Sequence, residues 1–198
     1  MRDIVKSHTK FNPNEIKDPE NIRSLYVGHN SLEHINFSAF TNLEALDIGH
    51  NKIKNIDGLS NKIKWICIAD NQIENYDSLY ELTNLEYLWA HQTNININKC
   101  YKMKKLKQLL IDDCLNISNI EVIRHFNDLS ILELRNNKVD DISCVKNKKL
   151  SFLNIMNNNV RDIESLSGMG TLKKLNIRGN PIKNYDALRT LNLRRLCL

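Results

Sequence analysis

The sequence predicts an α/β solenoid: a horseshoe of about nine parallel strands stacked on its concave face, with turns and short helical segments on its convex face. Three observations predict it. The chain repeats at steps of 20 to 23 residues, in rows that begin at Ile22, Leu43, Ile63, Leu85, Leu106, Leu129, Leu150, Leu172 and Leu193. Each row opens with apolar residues at its first, fourth and sixth positions. Asparagine recurs at the ninth position, as Asn30, Asn51, Asn71, Asn137, Asn158 and Asn180.

Each element of a row has a physical reason. The alternation between the fourth and sixth positions is that of a short strand turning one face inward, so every row supplies one strand. At the ninth position the chain turns under, and an asparagine there offers both donor and acceptor to backbone groups cut off from water. Later apolar residues, such as Ile53, Ile56 and Leu59, bring the chain back along the outer side. One row cannot bury its own apolar edge, so stability comes from stacking. The third, fifth, seventh and eighth positions are expected to face outward on the concave side.

The rows divide the chain into an N-terminal cap segment, residues 1–21, and a repeat domain, residues 22–198, of eight full rows and a partial ninth. Phe11-Asn12-Pro13-Asn14 and Asp18-Pro19-Glu20 break regular structure in the cap. Two rows depart from the pattern. The fourth has Thr93 at the asparagine position and Asn98 at an apolar one, and the fifth has Cys114 there followed by an extra residue, so an irregular turn is expected mid-stack. The last strand, Leu193-x-x-Leu196-x-Leu198, has no returning segment, which predicts weak self-association or fraying there, softened by Arg194 and Arg195.

Rows such as Leu43-x-x-Leu46-x-Ile48-x-x-Asn51-x-Ile53-x-x-Ile56 and Leu129-x-x-Leu132-x-Leu134-x-x-Asn137-x-Val139-x-x-Ile142 resemble the leucine-rich-repeat family. The similarity is to its short class of about 22 residues, found in internalins and in a regulatory subunit of protein phosphatase 1. It covers residues 22–198. The resemblance implies a horseshoe that binds protein on its concave face. No motif carries the phosphatase-contacting residues of that class across to this chain.

A chain of 198 residues suits one domain with a substantial interior. Hydrophobic residues make up 41% and the mean hydropathy is −0.44, with no run near the roughly 20 apolar residues that span a bilayer. The start, Met1-Arg2-Asp3-Ile4-Val5-Lys6-Ser7-His8, lacks the apolar stretch of a secretory signal. Cys67, Cys100, Cys114, Cys144 and Cys197 are odd in number and form no C-x-x-C pair, which predicts free thiols and an intracellular, cytoplasmic protein. Sequons at Asn36 and Asn116 are read as chance in an asparagine-rich chain.

The candidate site is a protein-binding patch on the concave face. Trp65, Tyr87, Trp89, Leu110, Ile131 and Phe152 fall at third and fifth positions of successive rows, a contiguous apolar surface of the kind that marks an interface. Glu133 shares that face, and His91, Asp112 and Arg135 at seventh positions give it polar definition. The expected partner is a protein, with no membrane and no cofactor.

Other chemistries fit less well. The chain has no Gly-rich phosphate loop, H-E-x-x-H or G-x-S-x-G, so catalysis is not expected. His29, His50 and Asp70 occupy one column and are the best metal-ligand set, yet a surface column of polar residues needs no metal. Basic residues gather before the strands: Lys62 and Lys64; Lys102, Lys104, Lys105 and Lys107; Lys146, Lys148 and Lys149; Lys173 and Lys174; Arg189, Arg194 and Arg195. This rim is the alternative site, for nucleic acid or another polyanion. Without interleaved aromatics it reads first as a solvated edge.

Overall fold

The structure, a computed structural model, describes residues 2–114 and 116–198; Met1, the first residue of the cap segment, and Leu115 lie outside the described residues. Ten strands form one parallel sheet in chain order: β1 Arg2–Val5, β2 Ile22–Tyr26, β3 Ala45–Asp47, β4 Trp65–Cys67, β5 Tyr87–Trp89, β6 Gln108–Leu110, β7 Ile131–Glu133, β8 Phe152–Asn154, β9 Lys174–Asn176 and β10 Arg195–Cys197. That is one strand more than the rows predict. The extra strand lies in the segment read as a cap, where Ile4 pairs with Leu25 and Val5 with Tyr26. It escaped the pattern because Lys6 stands where every other row is apolar.

The register is that of the repeat. Leu25, Leu46, Ile66, Leu88, Leu109, Leu132, Leu153, Leu175 and Leu196 are successive strand partners, and from Leu25 to Leu175 each is buried. Like side chains therefore stack on like, and the interior is one continuous column. On β10 the column opens: Leu196 is 40% exposed and the following Leu198 65%.

Behind the sheet the chain returns through a four-residue α-helical turn, Asp77–Tyr80, and 3-10 turns such as Glu121–His125, Ser143–Val145 and Glu164–Leu166. These turns share a device. Asn55, Asn75, Asn96, Asn119, Asp141, Asp162 and Asn184 each accept, through the side-chain oxygen, the amide two residues on, at 2.5 to 3.1 Å. Much of the asparagine content is thus committed to turns as well as to the inner ladder.

That ladder forms as expected. Asn137 donates from Nδ2 to the carbonyls of Ile111 and Leu134, both at 2.9 Å, and accepts the Cys114 amide at 3.2 Å. Asn51 accepts two amides, of Asn30 and Leu32, at 3.1 and 2.9 Å. In the irregular rows Thr93 and Cys114 stand in, and both donate to the Ala90 carbonyl, at 2.8 and 3.3 Å. Two tyrosines of the preceding row supply further acceptors: the hydroxyl of Tyr76 takes the Asn94 amide at 3.3 Å and that of Tyr80 the Asn96 amide at 3.1 Å.

The eighth position has its own constraint. His8, His29, His50, Asp70, Gln92, Asp113, Asn136 and Asn157 all have φ between 49° and 58°, and Gly179 has 72°. This left-handed conformation swings the ninth residue inward, and it is open chiefly to Gly, Asn, Asp and His. At Gly179 a Cβ would also lie 2.2 Å from Oδ1 of Asn157.

Candidate functional site

The third and fifth positions of each strand point away from the interior, so the sheet presents them as a second, open layer. Trp65 pairs with Tyr87, Trp89 with Leu110, and Ile131 with Phe152 across adjacent strands, and all six are half-buried. The apolar residues form two groups, Trp65, Tyr87, Trp89 and Leu110 on β4 to β6 and Ile131 with Phe152 on β7 and β8; between them the direct partners are Gln108 with Ile131 and Leu110 with Glu133. Bulky rings reach past their direct partners: Trp65 and Trp89 sit diagonally and meet edge to face at 5.0 Å, and Tyr26 tilts against Trp65 at 5.7 Å. Tyr26 extends the aromatic strip by one residue that sequence reasoning placed on this face but left out of the site. Among the described residues, Nε1 of Trp89 is buried with no acceptor.

Polar residues on this face are largely fixed by the backbone. Past the sixth position the chain leaves the strand, and the seventh amide loses its ladder partner. A neighbouring side chain takes it: Asp47 accepts the Gly49 amide at 2.9 Å, Asn154 that of Met156 and Asn176 that of Arg178, both at 3.2 Å. Asp112 does the same for Arg135, at 2.7 Å.

Asp112 and Cys67 correct the expectation of outward-facing side chains. Asp112 is only 5% exposed, because its carboxylate turns back to cap that amide, with the Arg135 guanidinium 3.6 Å away. Burial pushes its carboxyl up to about 6, with Glu133 and Asp113 acting in the same direction and the Arg135 contacts against them. Cys67 is buried at 9% exposure because the seventh position beside it is glycine; a Cβ on Gly49 would come within 2.9 Å of its sulfur. Burial pushes that thiol up to about 12, as it does those of Cys100 and Cys144, which makes all three poor nucleophiles. All five cysteines are free.

The remaining site residues sit in one polar run beside the aromatic strip. Arg135 reaches Asp113 at 3.3 Å, and Asn154 donates to Glu133 at 3.2 Å. His91 is half-buried, and its burial lowers its pKa from the ordinary imidazole value.

The histidine column takes a different form from a metal site. His8, a member unrecognised in the sequence because its row was unrecognised, stacks on His29 at 4.4 Å, and His29 on His50 at 4.1 Å with rings 14° apart. Parallel rings direct their nitrogen lone pairs side by side and not at one point. His50 is held instead by Asp70, at 2.9 Å. Desolvation and the neighbouring imidazoles His50 and His8 hold His29 below the usual histidine pKa.

The basic rim is interrupted by ion pairs that the row pattern hides. Glu44 lies between Arg23 and Lys64, at 3.1 and 2.9 Å, while Lys107 meets Glu86 and Lys102 meets Glu81, each at 2.6 Å. Lys148 is spent on the carbonyls of Arg124 and Phe126. Among the described residues no helix is long and apolar enough to cross a membrane.

Neither a protein-family model nor a curated protein sequence matches the chain. Solved structures do. An internalin of Listeria monocytogenes is 24% identical with a TM-score of 0.77, over 88% of this chain and 60% of its own length. The chain therefore spans less than two thirds of that protein. Internalin C2 of the same species is 21% identical with a TM-score of 0.79, over 88% of this chain and 82% of its own. The plant peptide hormone receptor RGFR1, solved in complex with RGF2, is 18% identical with a TM-score of 0.73, over all of this chain and 34% of the receptor. The parallel sheet, the asparagine ladder and these likenesses converge: the chain has the fold of a leucine-rich-repeat solenoid.

Proposed function

We propose that the chain is a non-catalytic protein-binding scaffold that holds its partner on the concave face, over Trp65, Tyr87, Trp89, Leu110, Ile131 and Phe152. One observation carries this reading: aromatic and aliphatic side chains gather on the open face of β4 to β8, with Trp65, Tyr87, Trp89 and Leu110 side by side and Ile131 beside Phe152. An interface supplies what such a surface lacks, apolar cover. Glu133, Arg135 and His91 give register along the strip, and Asp112 acts by fixing Arg135. The likeness to a plant receptor solved with RGF2 supports the reading, since that protein holds its ligand on the same kind of scaffold. Four buried free thiols suit a reducing, intracellular setting.

Affinity capture with mass spectrometry tests the proposal, with wild type, Trp89→Ala and the outer-side control Lys54→Ala as baits. A partner retained by wild type and Lys54→Ala but lost from folded Trp89→Ala is expected. Equal retention by all three would move the interface to another surface.

A further inference from the structure

At the far end of the same face, β8, β9 and β10 border a cavity of about 260 Å³ lined by Phe152, Asn154, Lys174, Asn176, Arg195 and Cys197. Two cations stand side by side in it. Lys174 and Arg195 are direct partners on adjacent strands, both exposed, and neither forms an ion pair among the described residues. Elsewhere on the sheet Arg23, Lys64, Lys107 and Arg135 each rest on a carboxylate. The acids needed are missing from this part of the chain: residues 143–198 hold eleven Lys and Arg against three Asp and Glu, whereas residues 1–142 hold seventeen against twenty. This end of the chain therefore carries an excess of positive charge, of which Lys174 and Arg195 stand on the face.

The rest of the lining adds shape to that charge. The oxygen of Asn176 is occupied by the Arg178 amide, so its Nδ2 is left as a donor with no acceptor among the described residues. Half-buried Phe152 forms an apolar wall. A guanidinium, an ammonium and an amide donor beside an aromatic wall suit a carboxylate carried on an aliphatic stem.

We propose that this cavity receives an acidic side chain of the protein partner, which makes the partner segment apolar at one point and acidic at another. The proposal rests on the concave-face reading. Four strand spacings separate β5, with Trp89, from β9, with Lys174, about 19 Å in all. An extended segment crossing the strands therefore places its aspartate or glutamate about six residues from the side chain that covers Trp89.

Fluorescence anisotropy on the full chain tests this with two labelled twelve-residue peptides. One carries a Phe-Leu anchor spaced six residues from a Glu-Glu pair; in the other, Lys-Lys replaces Glu-Glu. The acidic peptide is expected to bind, to lose about tenfold or more in affinity to Lys174→Glu with Arg195→Glu, and to lose less to the neutral pair Lys174→Gln with Arg195→Gln. The lysine peptide should bind about tenfold more weakly. No saturable binding of the acidic peptide, equal binding of the lysine peptide, or indifference to both double variants overturns the proposal. So does a six-base oligothymidylate that binds more tightly than the acidic peptide, since the cavity would then be a polyanion site. Loss on Trp89→Ala without loss on the double variants overturns this inference alone, and the reverse result overturns the concave-face reading and with it the six-residue spacing, leaving a carboxylate site at the cavity.

Discussion

Trp89 meets Trp65 edge to face, ring centroids 5.0 Å apart and planes at 75°, although Cys67 and not Trp65 is its partner across the strands. The diagonal contact links β4 to β5 on the open side of the sheet and builds a rigid patch from two half-buried rings. Trp89→Ala is therefore expected to cost some stability. A double-mutant cycle with Trp65→Ala, read by denaturant melts, should give a coupling of about 0.5 to 1.5 kcal/mol. Coupling near zero would mean that the rings touch without supporting one another.

Asn137 serves four backbone groups at once and is 7% exposed. Asn137→Ala leaves them without partners, and a loss of about 1 to 3 kcal/mol is expected in equilibrium unfolding. Asn180→Ala, at a half-buried position of the same ladder, should cost less. An unchanged unfolding midpoint for Asn137→Ala would mean that water replaces the amide.

Asp112 predicts a pH signature. Its carboxyl sits near 6 in the folded chain against an ordinary 3.8, so between those values the folded state holds a proton that the unfolded state has released. Stability from this group is full below about pH 4, falls as pH rises to about 6, and is flat above. Asp112→Asn keeps an oxygen for the Arg135 amide and has no proton to lose. The difference in unfolding free energy between variant and wild type should therefore grow in favour of the variant by about 2 kcal/mol from pH 4 to pH 7. A constant difference would show that Asp112 titrates normally.

Tyr80 accepts the Asn96 amide through its hydroxyl, in the row where threonine replaces the ladder asparagine. Burial pushes the phenol up to about 12, so it stays neutral across the working range. Tyr80→Phe keeps the ring and orphans that amide, and a cost of about 1 to 2 kcal/mol is expected. Hydrogen exchange should quicken at Asn96 and leave Val139 unchanged; faster exchange throughout would argue for global loosening instead.

The rows, register and ladder were readable in the sequence because buried positions admit few residue types, and the same types recur nine times. The outward placement of Trp65, Tyr87, Trp89, Leu110, Ile131 and Phe152 followed from that register, as the strand positions that alternate with the buried ones. The sequence did not disclose β1, whose row has Lys6 at an apolar place, nor the burial of Asp112, because alternation stops informing once the chain leaves the strand. Lysines of the rim looked free because their partners, such as Glu44 and Glu86, lie one row earlier at the same position. The diagonal tryptophan contact depends on ring reach, which a pattern of positions does not contain.

The hydroxyls of Tyr76 and Tyr80 make residues 63–105, the third and fourth rows, a single structural unit. Ordinary rows are interchangeable parts: each brings an asparagine that serves its neighbour, so a gene can gain or lose one and keep a closed ladder. The fourth row is not such a part, since its amides at Asn94 and Asn96 depend on tyrosines encoded in the third. Duplicated alone, it would face a predecessor without those hydroxyls. Removing the third row, or inserting one between it and the fourth, is therefore expected to cost more stability than the same change on either side of them.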